Sequence, residues 1–272
     1  MRNVPTTPEE MARAIRHWSP EKRWYMPGVC RVVAGMSRFI MQSMNTLEFR
    51  NRARWENAFA QDGRGILSFS NHVSLFDDPL LISNLGATGY DEVRWIPADH
   101  HNFFGNATKG RLFSSGKCVP IIRGAGLEQP GFDFLLERLN AGDWVHIFPE
   151  GGRTREADAR LRTPFKIGIG RLLVEAQPIA MPFYHRGMHR VLPIGANRPR
   201  SGHKITVHFG EPIAMDEATT GGLWETDATA QARWHAATAW AQGVLVDLQG
   251  RVLDEEASAL APVRNEVDEV MK

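Results

Sequence analysis

The sequence predicts an α/β fold, a largely parallel sheet flanked by helices. Short apolar runs bounded by glycine and proline alternate along the chain with stretches of helical periodicity, which is the order that βαβ units produce. Residues 65–70 (GILSFS) and 144–148 (WVHIF) read as strands buried in such a sheet. The length of 272 residues suits one α/β domain with a small appendage, and the composition, 43% hydrophobic and 23% charged, is that of an ordinary globular protein.

Residues 1–27 mix Pro5, Pro8, Pro20 and Pro27 with charge and read as an irregular lead with one short helix. Residues 28–45 change character. Val29, Val32, Val33, Met36, Ile40 and Met44 recur at helical spacing, with Arg31, Arg38 and Gln42 on another face and Trp18, Trp24 and Tyr25 just upstream. Such a helix lies in a membrane interface or packs on the protein's own core, and pattern alone leaves both open. The expected division is an N-terminal lead with an interface helix, residues 1–46, and a main domain, residues 47–272. The main domain opens with the strand at 65–70, which runs into Asn71-His72. Pro79 stands at a first-turn position of a helix over 79–85. Strands follow at 94–98 and 118–122, a helix at 131–139, the strand at 144–148 and a helix at 165–176. Strands at 178–184 and 204–209 and a long helix over 229–253 complete the pattern.

Composition excludes several classes. The formal net charge of +1 and the absence of a lysine- or arginine-rich run argue against a nucleic-acid binder. Two cysteines, Cys30 and Cys118, argue against a disulfide framework; packed thiols are the expectation. No run of 18 apolar residues suggests a membrane-spanning helix, and the N-terminus, with Glu9, Glu10 and Glu21, reads as neither a signal nor a transit peptide.

Four motifs carry chemistry. Asn71-His72-Val73-Ser74-Leu75-Phe76-Asp77 places a histidine and a carboxylate five positions apart between a strand and a helix. Neutral imidazole takes a hydroxyl proton near pH 7, and a carboxylate fixes its tautomer. Open α/β sheets bind ligands at that end of their strands. Gly116 to Arg123 (GKCVPIIR) is a strand ending in a guanidinium that suits phosphate. In Phe148-Pro149-Glu150-Gly151-Gly152-Arg153 two glycines permit close backbone approach. There Glu150 can hold a hydroxyl or a cation and Arg153 a phosphate. Ala180-Met181-Pro182-Phe183 is a strand bearing a proline. Taken singly, each also has an ordinary structural reading: one such histidine spacing arises easily among 10 histidines, and a strand-end arginine or a glycine turn is commonplace.

Taken together and in this order, the four blocks resemble the glycerolipid acyltransferase superfamily. Within it the chain is similar to the tafazzin family, through Asn71-His72-x4-Asp77-Asp78, Gly116 to Pro120 with Arg123-Gly124, Gly142 to Gly151, Phe165 to Leu172, His185-x-Gly187-Met188 and Lys204 to Val207. The likeness runs from about Leu47 to Pro212. It implies a glycerolipid acyltransferase-like fold and catalysis in which His72 deprotonates a lysolipid hydroxyl and Asp77 orients His72. It further implies that Arg123, Glu150, Gly151, Arg153 and Lys166 bind the acceptor. No metal or organic cofactor is implied. The implied partners are phospholipid, lysophospholipid and a membrane surface, which favours the interfacial reading of the N-terminal helix. The implied location is peripheral, at a bacterial inner membrane or a mitochondrial membrane. Tafazzin-like enzymes take the acyl group from a phospholipid, without CoA, and remodel cardiolipin and other phospholipids, whereas Gly152-Arg153-Thr154-Arg155 looks like acyl-CoA-dependent relatives, so both donors stay open. No Gly-x-Ser-x-Gly elbow is present for a lipase-type route. A non-catalytic lipid-binding protein on the same fold is opposed by the intact His72 and Asp77. A metal hydrolase using His100-His101 or His185 and His189 has no coherent ligand set.

Overall fold

The computed structural model describes residues 4–60, 63–85, 89–216, 219, 221–222 and 228–260. In chain order the elements are α1 (Pro8–Ala14), α2 (Met26–Arg38), a π turn (Phe39–Ser43), β1 (Thr46–Arg50), α3 (Arg52–Phe59), β2 (Ile66–Ser70), a second π turn (Asp77–Leu81) leading into a 3-10 turn (Ile82–Asn84), β3 (Ile96–Asp99), α4 (His100–Phe103), α5 (Ala107–Ser115), β4 (Cys118–Ile121), α6 (Pro130–Asn140), β5 (Trp144–Ile147), α7 (Gly168–Ala176), β6 (Ile179–Arg186), α8 (Met188–Val191), β7 (Lys204–Phe209), β8 (Ile213–Ala214) and α9 (Ala230–Leu260). Residues 261–272 of the expected main domain lie outside the described residues.

The strands form a sheet in the order β1-β7-β6-β2-β5, with β8 beside β6. The β1–β7, β2–β5 and β2–β6 pairs are parallel, while β7 and β8 run antiparallel to β6. The fold is therefore the α/β architecture, largely parallel, that the sequence predicts. Strands β3 and β4 pair in parallel as a separate ribbon. It is joined to the main sheet through Trp95, whose N–H donates to the Trp144 carbonyl at 2.8 Å and whose carbonyl accepts from the His146 N–H at 2.8 Å.

Side chains alternate across the sheet, and each face has its own core. Leu67, Phe69, Val145, Ile147 and Tyr184 face α6, α7 and α9, where Leu135, Ile169, Leu172, Ala241 and Leu245 are buried. Ile66, Trp144, Met181, Phe183, Val207 and Phe209 face the other way, onto Trp55, Leu81 and Met41. Burial on both faces explains why the strands read as near-continuous apolar runs. Helices α7 and α9 meet at Gly170, where a Cβ would stand 1.9 Å from the Trp234 carbonyl oxygen, so only glycine allows the backbones this close.

Several elements differ from the sequence expectation for local reasons. The helix expected over 28–45 is α-helical to Arg38 and then widens into a π turn, with the Met44 N–H on the Phe39 carbonyl at 3.1 Å. Asn45 Nδ2 takes the Ile40 carbonyl at 2.9 Å. The helix expected over 79–85 is instead the π and 3-10 pair. The Leu80 carbonyl accepts from Ser37 Oγ at 2.7 Å and Asn84 Nδ2 at 2.6 Å, side-chain bonds that compete with regular helix. The N-terminal lead packs on the rest of the chain. Met11 and Ile15 bury with Ile122, and the Ser19 N–H donates to Ser114 Oγ at 3.1 Å. Cys30 and Cys118 are free thiols.

Candidate active site

The carboxyl ends of β2, β5 and β6, three adjacent parallel strands, converge on one edge of the sheet. Open α/β sheets bind their ligands at such an edge. Asn71 extends the pairing of β2 with β6 by one side chain. Its Nδ2 donates to the His185 carbonyl at 2.9 Å, and its Oδ1 accepts from the His185 N–H at 2.9 Å. This places His72 as the first residue clear of the sheet. The His72 backbone is then gripped by the turn that follows β5. Its N–H donates to Glu150 Oε1 at 2.6 Å, and its carbonyl accepts from the Thr154 N–H at 2.7 Å.

His72 Nδ1 lies 2.9 Å from Asp77 Oδ2. The same oxygen accepts from the Val73 N–H at 2.7 Å and the Ser74 N–H at 2.8 Å, so the chain curls around the carboxylate. Asp77 is fully buried. Burial would raise its pKa, but His185, whose Nε2 is 3.9 Å away, together with His72 and the Ser74 N–H, outweighs that and holds the carboxyl below its ordinary range. An ionised carboxylate only accepts, so Nδ1 of His72 carries the proton and Nε2 carries the lone pair. Nε2 has no hydrogen-bond partner among the described residues, and the His72 side chain is 17% exposed. The arrangement is an imidazole with its tautomer fixed from behind and its Nε2 lone pair open in front, which is what a general base requires.

Glu150 is fully buried. Its second oxygen accepts from the Arg162 N–H at 2.8 Å, and the Arg162 guanidinium also bonds the Glu150 carbonyl. Its carboxylate thus clamps the His72 loop to the segment before α7. Burial pushes the Glu150 carboxyl up to about 7, against the downward pull of the Arg162 and His72 N–H groups. Gly151 has φ +68°, and a Cβ there would stand 2.7 Å from Cγ of Lys166, whose stem crosses the turn. The Lys166 N–H holds the Pro149 carbonyl at 2.8 Å. Arg153 lies half-buried on the same turn, next to the Thr154 that holds His72. The third motif therefore wraps the His72 backbone through Glu150, with Lys166 packed across its Gly151. Arg123 stands beyond the end of β4 on the side ribbon. It is 64% exposed and paired with Asp99 Oδ2 at 2.7 Å rather than with the His72 loop.

Sequence reasoning missed other parts of the site. Asp78, next to Asp77, is held by a buried two-pronged bond from Arg94, which also donates to the Gly116 carbonyl at 2.8 Å. His146 is buried against Ser68 Oγ at 2.9 Å, and burial drives its pKa far down, so it stays neutral. Phe148 stacks on the His72 ring. No group of three or more His, Cys, Asp or Glu side chains among the described residues is placed to hold a metal ion.

Residues 48–186 match the family model described as Acyltransferase. The chain is similar to the tafazzin of Drosophila melanogaster, 31% identical over 209 residues that cover 73% of this chain and 54% of that protein. It spans about half the length of that relative. It is likewise 31% identical over 211 residues to a Dictyostelium discoideum protein named taffazin, covering 73% of both chains. Among solved structures, the 1-acyl-sn-glycerophosphate acyltransferase PlsC of Thermotoga maritima shares the fold, with a TM-score of 0.50, 18% identity and 78% of each chain covered. A histidine–carboxylate pair at a sheet edge, a family model spanning that edge and relatives that match most of the chain agree: the chain belongs to the acyltransferase family, as a homologue of the tafazzins.

Proposed function

We propose that the protein moves a fatty acyl group from a phospholipid to the free hydroxyl of a lysophospholipid, with His72 as general base, remodelling membrane phospholipids such as cardiolipin. The observation that carries this reading is the 2.9 Å bond from His72 Nδ1 to a buried, ionised Asp77, which leaves Nε2 open. Nε2 takes the proton of the acceptor hydroxyl as that oxygen attacks the donor's ester carbonyl carbon. Asp77 stabilises the imidazolium so formed. The tetrahedral intermediate collapses, the donor's C–O bond breaks, and the departing glycerol oxygen recovers the proton from His72. Atoms and charge balance without an external reactant. Arg123, Arg153 and Lys166 bind lipid phosphate as cations, while Glu150 and Gly151 shape the turn on which the acceptor rests. Phospholipid as the donor is what the likeness of the motifs to the tafazzin family implies.

The substrates lie in a bilayer, and the surface of α2 supports docking there. Trp24 is 92% exposed, Val32 65% and Phe39 61%, with Arg31 and Arg38 exposed among them. An open apolar groove of about 500 Å³ runs along Trp24, Tyr25, Val29, Val32 and Leu112. No helix among the described residues is long and apolar enough to cross a membrane. An exposed apolar surface flanked by cationic side chains suits burial at the level of the headgroups.

The Gly152-Arg153-Thr154-Arg155 turn favours a second reading, acyl-CoA as donor. Incubating the purified protein with labelled phosphatidylcholine vesicles and a lysophospholipid, with and without acyl-CoA, separates the two. Transfer of the label without CoA is expected. Transfer that occurs only from acyl-CoA overturns the transacylase reading, and His72→Ala that leaves transfer unchanged overturns the base.

A further inference from the structure

We infer that Phe148 is a positioning residue for His72: its ring lies flat against the imidazole, fixes the plane of that ring, and favours the imidazolium over the neutral form. The inference deepens, and rests on, the assignment of His72 as the base. The two rings are 4.1 Å apart between centroids and inclined by only 11°. Phe148 directly follows β5 and is itself braced. The His146 ring meets it edge-on at 4.6 Å and 82°, and it packs into the cluster of Ile96, Phe104 and Cys118.

Two constraints therefore act on the imidazole. Asp77 holds Nδ1, and Phe148 covers one face, so rotation about the Cβ–Cγ bond is blocked and Nε2 keeps its outward aim. The face of a phenyl ring is the negative pole of its quadrupole. It attracts a cation lying against it more than a neutral ring. The attraction thus grows as the acceptor's proton arrives, when a base most needs it.

The other groups that bear on the charge of His72 are Asp77 on the turn after β2, Glu150 and Arg162 across the clamp, His146 on β5 and His185 on β6. Of these only His146 touches Phe148, and its burial keeps it neutral, so it adds no charge to the titration and a change with the fluorinated ring, which keeps that contact, reports the aromatic face.

The test is an NMR titration of the His72 ring in the full-length enzyme, its signal assigned by its loss in His72→Asn, alongside steady-state acyl transfer. Phe148→Leu should lower the titration midpoint by about 0.4–1.5 pH units and lower kcat about 3- to 30-fold with KM little changed. Phe148→Tyr, which keeps the ring, should restore the midpoint. Pentafluorophenylalanine at 148 keeps the shape but reverses the polarity of the face, and should lower the midpoint at least as far as leucine. It also carries the test alone should the leucine variant fail to fold. An unchanged midpoint with folded fluorinated protein overturns the inference, whether or not activity falls. Acyl transfer that survives His72→Asn would instead refute the base, leaving the titration result standing.

Discussion

Asp77→Asn isolates the charge behind the base. Asparagine matches aspartate in shape, and its carbonyl oxygen can occupy the place of Oδ2, accepting from His72 Nδ1 and the Val73 and Ser74 N–H groups. Its amide nitrogen then falls where Oδ1 now has no partner, a buried donor left unsatisfied. That costs about 1–3 kcal/mol of stability, a drop of roughly 2–12 °C in Tm for a chain of this size. The effect on catalysis is larger. A full charge about 4 Å from the imidazolium contributes about 4 kcal/mol at an effective dielectric constant near 20. Its loss corresponds to roughly a thousandfold in rate. Acyl transfer from labelled phospholipid to lysophospholipid at saturating substrate should show that fall in kcat, with circular dichroism confirming that the variant is folded. A folded Asp77→Asn enzyme that keeps more than about a tenth of the parent kcat would refute the electrostatic role given to Asp77.

Three further outcomes follow from other parts of the molecule. Glu150 has its carboxyl raised by burial from 4.5 to about 7, so the stability it contributes is full below 4.5 and is lost as pH rises through about 7. Urea unfolding at pH 5 and pH 8 should show a loss of about 3 kcal/mol from this group. Glu150→Gln should flatten that slope, and an equally steep slope in the variant would assign it elsewhere. Asp77 has the opposite sign: its depressed pKa stabilises the fold above 3.8 and ceases to do so as pH falls below it. Gly170→Ala pushes a methyl into the Trp234 carbonyl and should lower stability by about 3 kcal/mol, read from the urea midpoint. A double change of Val32 and Met36 to aspartate should abolish flotation with anionic vesicles while leaving transfer between dispersed short-chain substrates; unchanged flotation would place the membrane contact on another surface.

Much of this could be read from the chain. The central strands β2, β5 and β6 were legible because burial on both faces leaves mostly apolar runs, and β7 (KITVHF) because apolar residues alternate along it. Strand β1, Thr46–Arg50 (TLEFR), was not, because its polar–apolar alternation spans only five residues with two apolar positions, too short a run to stand out beside the helical pattern that precedes it. Helix α5 escaped notice because the residues it buries, Gly110, Ser114 and Ser115, are small or polar and give no hydrophobic stripe. The His72–Asp77 pair was visible because its partners are five positions apart, and local spacing survives in sequence. The partners of Glu150 were not. Its carboxylate meets backbone N–H groups of His72 and Arg162, 78 and 12 positions away, and a backbone donor leaves no trace in residue identity. The stacking of Phe148 on His72 is hidden because the two lie 76 positions apart and only the pairing of β2 with β5 brings them together.

The amide of Asn71 has a consequence for motion. Loops that carry chemistry usually open at little cost, as parts of the structure with few backbone bonds. Here the residue before the reacting imidazole is tied by two 2.9 Å bonds to the main chain of β6. Releasing His72 therefore means unzipping the innermost pair of strands. On the proposed mechanism, the nitrogen that takes the proton is thus anchored to the central sheet, and the adjustments that would admit a bulky lipid fall to other walls of the site.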